Sequence, residues 1–581
     1  MRSLPLLRSV LLAALSLGGF AGAQDEPQTG EHPDWPRWCG KVYEAGYPSF
    51  EPGGHTVAPP TNGSTFLHVQ LKPRYSLYLS TESKASFVVN AALSPWFGAE
   101  YANSTTGDGG RVEPFSELVF SIHLVGGERD APPLAKGSIP VNATGVEFEF
   151  SLAGLEPRVA PHEVVLVGAP AHGGGLNYTA TSAVLYLPDN PAGSATKIDN
   201  VQGSLLFKNA ATGQEFVPLL PYGYYGLYNG SNDTAAADEF VHDYTSGGQG
   251  LNAIISLAGF ADTNPVYESM DRQGLRFMFD LRGSYKNLTD TEQRVNTIKH
   301  HTSLFAYWTA DEPDGQQVPF ATTPAAQALI HTLDPYHPVA ITLNCQDYYF
   351  GAYAAGGDIL MEDVYPIGIN STFSKWGTPC NATLGDCGCD NCAGGGIRDV
   401  AARLDDLARY EAELGRWPLP KLHNPQVFHG EDYWARDPTP AEARAMNALA
   451  FHRRATGIFG WTWPGSAELF EVHSQMAAVV TNAPVRDFLL GGRLERLVLE
   501  EYPALDAAYW VRGGRAMVSV VNGGDADIAG AVSIALPVKA TGVEAVAFGG
   551  LPWKLAGGRL VVDKLPGMTT SFVILNIDTP H

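Results

Sequence analysis

The sequence predicts an α/β fold: a (β/α)8 TIM barrel flanked by an N-terminal β-sandwich and a small C-terminal β-domain. Three observations predict it. The middle of the chain alternates apolar runs with helical stretches eight times over roughly 290 residues, the spacing of a barrel with insertions. The segment before it alternates apolar and polar positions with period two, in short runs cut by Gly, Pro and Asn. After about Arg493 short apolar strands return.

Composition sets the outer limits. The chain has 581 residues, 45% hydrophobic, 10% aromatic and 17% charged, with 63 Gly and 41 Pro. At roughly 150 residues per domain this implies two to four domains with ample core, and excludes disorder and coiled coil. Lys and Arg number 38 against 61 Asp and Glu, a net charge of -23 that repels phosphate backbones and anionic membranes. Neither nucleic acid nor membrane is an expected partner.

In order, residues 1–23 read as a secretory signal peptide: Arg2 and Arg8, an apolar run Val10 to Phe20, and Ala21-Gly22-Ala23 as a small-x-small cleavage site. The run is too short to span a bilayer. Cleavage there takes the net charge from -23 to -25, and the tail through Leu575 to His581 has no lipid-anchor signal. A secreted, extracellular protein is expected. Sequons at Asn62, Asn103, Asn142, Asn177, Asn229, Asn232, Asn287, Asn370 and Asn381 suit a glycoprotein.

Residues 24–199 are expected to form the sandwich, from runs such as Phe66–Leu71, Glu117–Leu124, Val146–Leu152 and Ala183–Leu187. Residues 200–492 are expected to form the barrel. Its strands read as Val217–Gly223, Leu251–Leu257, Arg276–Leu281, Leu304–Ala310, Pro338–Asn344, Asp358–Val364, Lys421–Phe428 and Gly457–Trp463. Helices read as Thr234–Tyr244, Asp290–His301, Pro324–Leu333, Ile397–Leu414, Pro440–Arg454 and Val485–Glu501. Capping boxes are expected at Thr289 with Glu292 and at Thr439 with Glu442. An open doubly wound sheet would want a Gly-rich phosphate loop after its first strand, where Pro221-Tyr-Gly-Tyr-Tyr-Gly226 is aromatic instead. Residues 493–581 are expected to form the C-terminal β-domain.

Working residues of a TIM barrel hang from the C-terminal ends of its strands. Those ends carry Tyr222, Tyr224 and Tyr225 after strand one, Asp280 and Arg282 after strand three, and Asp311-Glu312-Pro313-Asp314 after strand four. Strand five ends in Asn344-Cys345-Gln346-Asp347 and strand six in Glu362-Asp363-Val-Tyr365-Pro366. Strand seven runs into His429-Gly430-Glu431-Asp432-Tyr433-Trp434, and strand eight ends in Trp461-Thr-Trp463. Carboxylates alternate with aromatics around one rim. Flat rings stack on sugar faces, and a carboxyl pair performs acid and base work at a glycosidic bond.

Tyr307-Trp308-Thr309-Ala310-Asp311-Glu312-Pro313 resembles the Asn-Glu-Pro signature of the retaining glycoside hydrolases of clan A. Asp363-Val-Tyr365-Pro366 is similar to the Asp-x-Tyr-Pro turn of related barrels. Pro438-Thr-Pro-Ala-Glu442 through Gly457–Trp463 resembles their last helix-and-strand unit, and the likeness runs from Phe207 to Glu501. It implies a two-carboxylate glycosidase without cofactor or metal, with Glu312 as general acid. The chain departs from the family at Asp311, where Asn is usual, and on strand seven, whose Gln426-Val-Phe428-His429 has no nucleophilic Glu. Glu431 is therefore expected as the nucleophile, with Asp363 second. Tyr222, Tyr224, Asp280, Trp308, Asp311, Tyr365, His429, Trp461 and Trp463 are expected to bind a polysaccharide or oligosaccharide. By strand alternation Asp311 is expected to face away from Glu312.

Two alternatives stand beside the hydrolase: a non-catalytic carbohydrate-binding protein on a hydrolase-like barrel, and a polysaccharide lyase. No Gly-x-Ser-x-Gly elbow, His-Glu-x-x-His or P-loop occurs. The six cysteines are Cys39, Cys345, Cys380, Cys387, Cys389 and Cys392. An even number after a signal peptide reads as disulfides, in preference to a zinc knuckle at Cys387–Cys392. The last four are expected to staple the insertion Ile367–Gly396 on the substrate face.

Overall fold

The computed structural model describes residues 34–102, 114–127, 131–171, 177–247, 250–257, 262, 265–392 and 396–578. The expected leader at 1–23 and the sequon at Asn103 lie outside them. At its centre eight parallel strands close into a barrel: β1 (Tyr222–Gly226), β2 (Ala253–Ser256), β3 (Arg276–Asp280), β4 (Leu304–Asp311), β5 (Val339–Leu343), β6 (Ile359–Glu362), β7 (Lys421–His423) and β8 (Ala455–Trp463). Strands covered on both faces read as unbroken apolar runs, as β4 does with every residue from Leu304 to Ala310 buried. Ile255, Met278, Trp308, Ala340, Met361, Leu422 and Phe459 fill the interior.

The N-terminal mouth is sealed by a three-stranded antiparallel sheet, Ala195–Ile198, Leu205–Lys208 and Val217–Leu219. Ile198, Leu205, Phe207 and Leu219 join the barrel-interior cluster, so this sheet is the barrel's floor plug. The single strand expected over Val217–Gly223 is therefore two, parted at Leu220 and Pro221, because its first half pairs with the plug and its second with the barrel.

Among the described residues, two helices of nine or more residues escaped the sequence reading, Pro265–Gln273 after β2 and Ala467–Val480 after β8, as did the single turn Phe350–Tyr353. The expected helix Val485–Glu501 stops at Gly491, and Arg493–Leu497 instead pairs with Leu505–Arg512 in the C-terminal sheet. Thr439 and Glu442 make the expected reciprocal cap. At the other expected capping box, Asn287 is the N-cap in place of Thr289, its side chain accepting from Thr289 and Asp290 N–H.

Before the barrel two four-stranded antiparallel sheets pack face to face, one around Thr65–Pro73 and Lys84–Ser94, the other around Glu117–Leu124 and His162–Pro170. Their inward residues share one core, in which Phe87 and Phe150 stack at 4.2 Å. In the C-terminal sheet Tyr509, Val518 and Val573 face a second small sheet, while Trp510, Met517 and Phe572 face the barrel's helical layer. His452, at the end of helix Pro440–His452, docks this sheet by hydrogen bonds of 2.6 Å to Asp506 and 2.6 Å to Ser519. No helix of the described residues is long and apolar enough to cross a membrane.

Three disulfides join Cys39 to Cys345, Cys380 to Cys387 and Cys389 to Cys392. The last two staple the insertion after β6, and no thiol remains for a zinc knuckle there.

Candidate active site

At the C-terminal face of the barrel lies a cavity of about 350 Å³ lined by Trp38, Asp311, Glu312, Asn344, Asp363, Tyr365, Lys375, Asp386, Gly388, Glu431, Tyr433, Trp434 and Trp461. Strand ends supply its floor. The β6 insertion and the β7–β8 loop supply one wall, and an arm preceding the sandwich supplies Trp38.

β4 delivers the acid turn. Glu312 follows it with φ at 48°, a left-handed conformation uncommon for a residue with a Cβ, and Pro313 forces the exit. Its N–H still donates to Thr342 O at 3.1 Å, holding the turn to β5. This left-handed step breaks strand alternation. Asp311 and Glu312 consequently both line the cavity, contrary to the opposed orientation expected from period two.

The Glu312 and Asp363 carboxyls hydrogen-bond to each other. Two carboxyls in contact must share a proton, since two adjacent anions repel. Burial first, and then the Asp363 charge, hold Glu312 well above the usual carboxylate range. Burial likewise raises Asp363, with Asp311 and Glu362 adding to it. Asp363 Oδ1 accepts from Asn344 Nδ2 at 3.5 Å. Asp314, two residues past Glu312, is buried among the N–H groups of Gly315, Asn344 and Cys345 at 3.0, 3.3 and 2.9 Å; burial lifts it to about 7.

A second cavity of about 360 Å³ meets the first at Asp311 and is lined by Asp280, Arg282, Tyr285 and Lys286 among others. Arg282 bridges the two, 3.1 Å from Asp280 and 3.3 Å from Asp311, with its guanidinium 5.3 Å from the Trp308 ring centre. Burial pushes Asp311 up to about 6 despite that cation, and raises Asp280 as well.

Across the first cavity Glu431 sits at the tip of the β7–β8 loop, its Oε1 3.4 Å from Trp461 Nε1. Tyr433 donates to Asp386 at 2.7 Å, and Trp434 donates to Tyr365 O at 2.8 Å. The insertion thus faces the cleft, with Lys375 4.4 Å from the Tyr433 ring centre.

The cavity gathers Asp311, Glu312, Asp363, Tyr365, Glu431 and Trp461 from the expected site residues, with Asp280 in the adjoining one. The others lie elsewhere. Tyr222 and Tyr224 point outward into the helical layer, Tyr222 against His473 and Asn447 and Tyr224 against Phe470, because the inward residue of β1 is Tyr225. Trp308 is fully buried in the barrel interior beneath the site, donating to Thr342 Oγ1 at 3.0 Å. His429 is exposed on the loop and pairs with Asp437. Trp463 packs on Phe240 and Tyr244, since an irregularity in the β1–β8 pairing sets Gly226 opposite Trp463 and parts it from the face of Trp461.

Sequence reasoning named Tyr225 at the end of strand one but left it out of the expected binding residues; its hydroxyl accepts from Asn424 Nδ2 at 2.7 Å under Trp308 and Trp461. A shift of one residue in strand parity would have included it. Trp38 carried no local signal; the pairing of Cys39 with Cys345 and the Lys41–Asp390 ion pair hold it at the rim. Among the described residues no group of three or more His, Cys, Asp or Glu is arranged to hold a metal ion.

No family model matches the chain, and no curated protein does. Solved structures to which it is similar are glycoside hydrolases. An FMN-binding β-glucuronidase from Facaelibacterium prausnitzii L2-6 aligns at 11% identity over 89% of this chain and 71% of its own, with TM-score 0.32. An Anoxybacillus α-amylase aligns at 9% identity over 62% and 98%, TM-score 0.39. A GH30 endoxylanase from Clostridium papyrosolvens C71 aligns at 10% identity over 62% and 96%, TM-score 0.37. Likeness this distant says nothing of chemistry or substrate.

Proposed function

We propose that the chain is a secreted glycoside hydrolase that cleaves glycosidic bonds of a polysaccharide or oligosaccharide by a two-carboxylate mechanism. The observation that carries this reading is the hydrogen-bonded Glu312–Asp363 pair on the floor of an aromatic-walled cleft at the barrel's C-terminal face. Burial favours the protonated form of Glu312, and a general acid must have that proton ready for the leaving oxygen. Tyr365, Tyr433, Trp434 and Trp461 offer apolar faces to sugar rings.

Glu312 and Asp363 are in contact, whereas an acid and its attacking partner stand about 5–5.5 Å apart in retaining enzymes and about 6.5–9.5 Å in inverting ones. Asp363 therefore tunes the acid, and Glu431 on the far wall is the second carboxylate. All eight sequon asparagines among the described residues are exposed, and with the three disulfides they support an extracellular setting.

The test is release of reducing ends from a panel of polysaccharides by the secreted protein, abolished in Glu312→Gln. Products absorbing in the ultraviolet would instead indicate a lyase. The absence of a carboxylate on β7, which ends at His423, favours a second reading as a carbohydrate-binding protein. Calorimetric binding of an oligosaccharide that is never cleaved would establish that one.

A further inference from the structure

An arm ahead of the sandwich reaches across the barrel mouth. Arg37–Trp38 and Lys41–Val42 form a small hairpin, tied to the loop after β5 by Cys39–Cys345 and to the β6 insertion by a buried ion pair between Lys41 and Asp390. The Trp38 ring lies on Gly315, three residues past Glu312. A Cβ at Gly315 would stand 2.4 Å from the indole, so the acid turn and the arm fit only because that position is glycine.

The arm also ends a hydrogen-bond chain. Trp38 Nε1 donates to Asn344 Oδ1 at 2.8 Å, and Asn344 Nδ2 donates to Asp363 Oδ1 at 3.5 Å. Asp363 in turn hydrogen-bonds Glu312. An indole N–H can only donate, so it must face the carboxamide oxygen, and the amide N–H₂ is thereby aimed at Asp363. A carboxyl that receives such a donor is favoured as the anion.

We propose that Trp38 is a positioning residue for the carboxyl pair: through Asn344 it keeps Asp363 the ionised partner and leaves the shared proton on Glu312. The charged and titratable groups around the pair are Asp311, Asp314, Tyr225 and Tyr365, with Glu362 and Arg403 acting on Asp363. None of them donates to Asp363 in a direct hydrogen bond as Asn344 does. Without the indole N–H the Asn344 amide is free to turn its oxygen toward Asp363, and the proton moves to Asp363. The consequence for catalysis rests on the hydrolase reading, but the network does not.

Trp38→Phe keeps a ring on Gly315 and removes only the donor; Asn344→Leu breaks the same link one step further in. The carboxylic-acid stretch of the pair is followed against pH by infrared difference spectroscopy, with Glu312→Gln to assign the band. Melting temperature and an intact Cys39–Cys345 bond check the fold. Both variants should raise the pair's lower ionisation by about one pH unit, the weight of one hydrogen bond to a charged group. On a cleaved sugar polymer, kcat should fall about tenfold, with the acid limb of the pH profile displaced and KM nearly unchanged. A titration in both folded variants that superimposes on the wild type overturns the proposal. A shifted titration in a protein that cleaves no sugar upholds the network and ends the hydrolase reading; sugar release with an unshifted titration does the reverse.

Discussion

Replacing Asp363 with Asn should stabilise the protein while impairing it, and the gain should depend on pH. Asp363 is 4% exposed at the end of β6, and its neighbours include Glu312, Asp311 and Glu362. Burial, reinforced by the Asp311 and Glu362 charges and only partly offset by the hydrogen bond with Glu312, raises its carboxyl from 3.8 to about 7. Between those limits the folded protein holds a proton that the unfolded chain has released. This group's contribution is thus fully present below about pH 4 and is lost as the pH rises through about 7. At ~1.4 kcal/mol per pH unit, some three units withdraw ~4 kcal/mol by about pH 8. That is an upper bound, since Glu312 shares the proton and the cleft admits water.

Asparagine is neutral and nearly isosteric, can still accept from Asn344, and can donate to Glu312. Asp363→Asn should exceed the wild type by about 2–4 kcal/mol near pH 8 and differ little near pH 4. A chain with several cores does not unfold in two states, so the assay is scanning calorimetry of the barrel transition at both pH values. At about 2–4 °C per kcal/mol the expected rise is roughly 5–15 °C near pH 8. An equal shift at both pH values, or a loss near pH 8, refutes the reasoning. The gain comes with lost activity, as at sites where function opposes stability.

Three further outcomes are expected. Glu312→Gln should retain the fold and lose roughly 10²- to 10⁴-fold in rate, measured as reducing-end release. Glu431→Gly should be inactive and regain turnover with azide, giving a glycosyl azide of inverted configuration; full activity in it, with Asp363→Gly dead, moves the second carboxylate to β6. Removing Cys39 and Cys345 together should cost about 3–5 kcal/mol, given the long loop they close, and should weaken substrate binding as Trp38 leaves the cleft wall, both readable by melting and KM.

The barrel was legible because a parallel sheet buried on both faces writes itself as apolar runs: Leu304–Ala310 and Val339–Leu343 need no partner to be recognised. The helices missed were those whose pattern is weak along the chain. Pro265–Gln273 is short and rich in charge, and Ala467–Val480 carries His473 and Ser474 on the face it buries. At the site, Asp311, Glu312 and Asp363 were legible as carboxyls ending strands. Which face a residue takes was not: a one-residue parity chose Tyr225 over Tyr224, and an irregular pairing parted Trp463 from Trp461. Contacts made by tertiary closure alone, such as Trp38 on Asn344, leave no trace in local sequence.

The arm also bears on what counts as the smallest working unit of this chain. Cys39 and Cys345 are 306 residues apart, and Trp38 beside the first meets Asn344 beside the second. During synthesis Trp38 has no Asn344 to meet until the ribosome has passed β5, and the cleft stays incomplete until β8 has brought Trp461, so no amino-terminal fragment short of that point has a finished wall. A chain begun at residue 200 would keep every barrel strand and every carboxyl, yet leave the Gly315 turn bare and the Asn344 amide unanchored. The barrel is therefore not a portable module, and grafting its activity onto another scaffold means carrying the arm along with it.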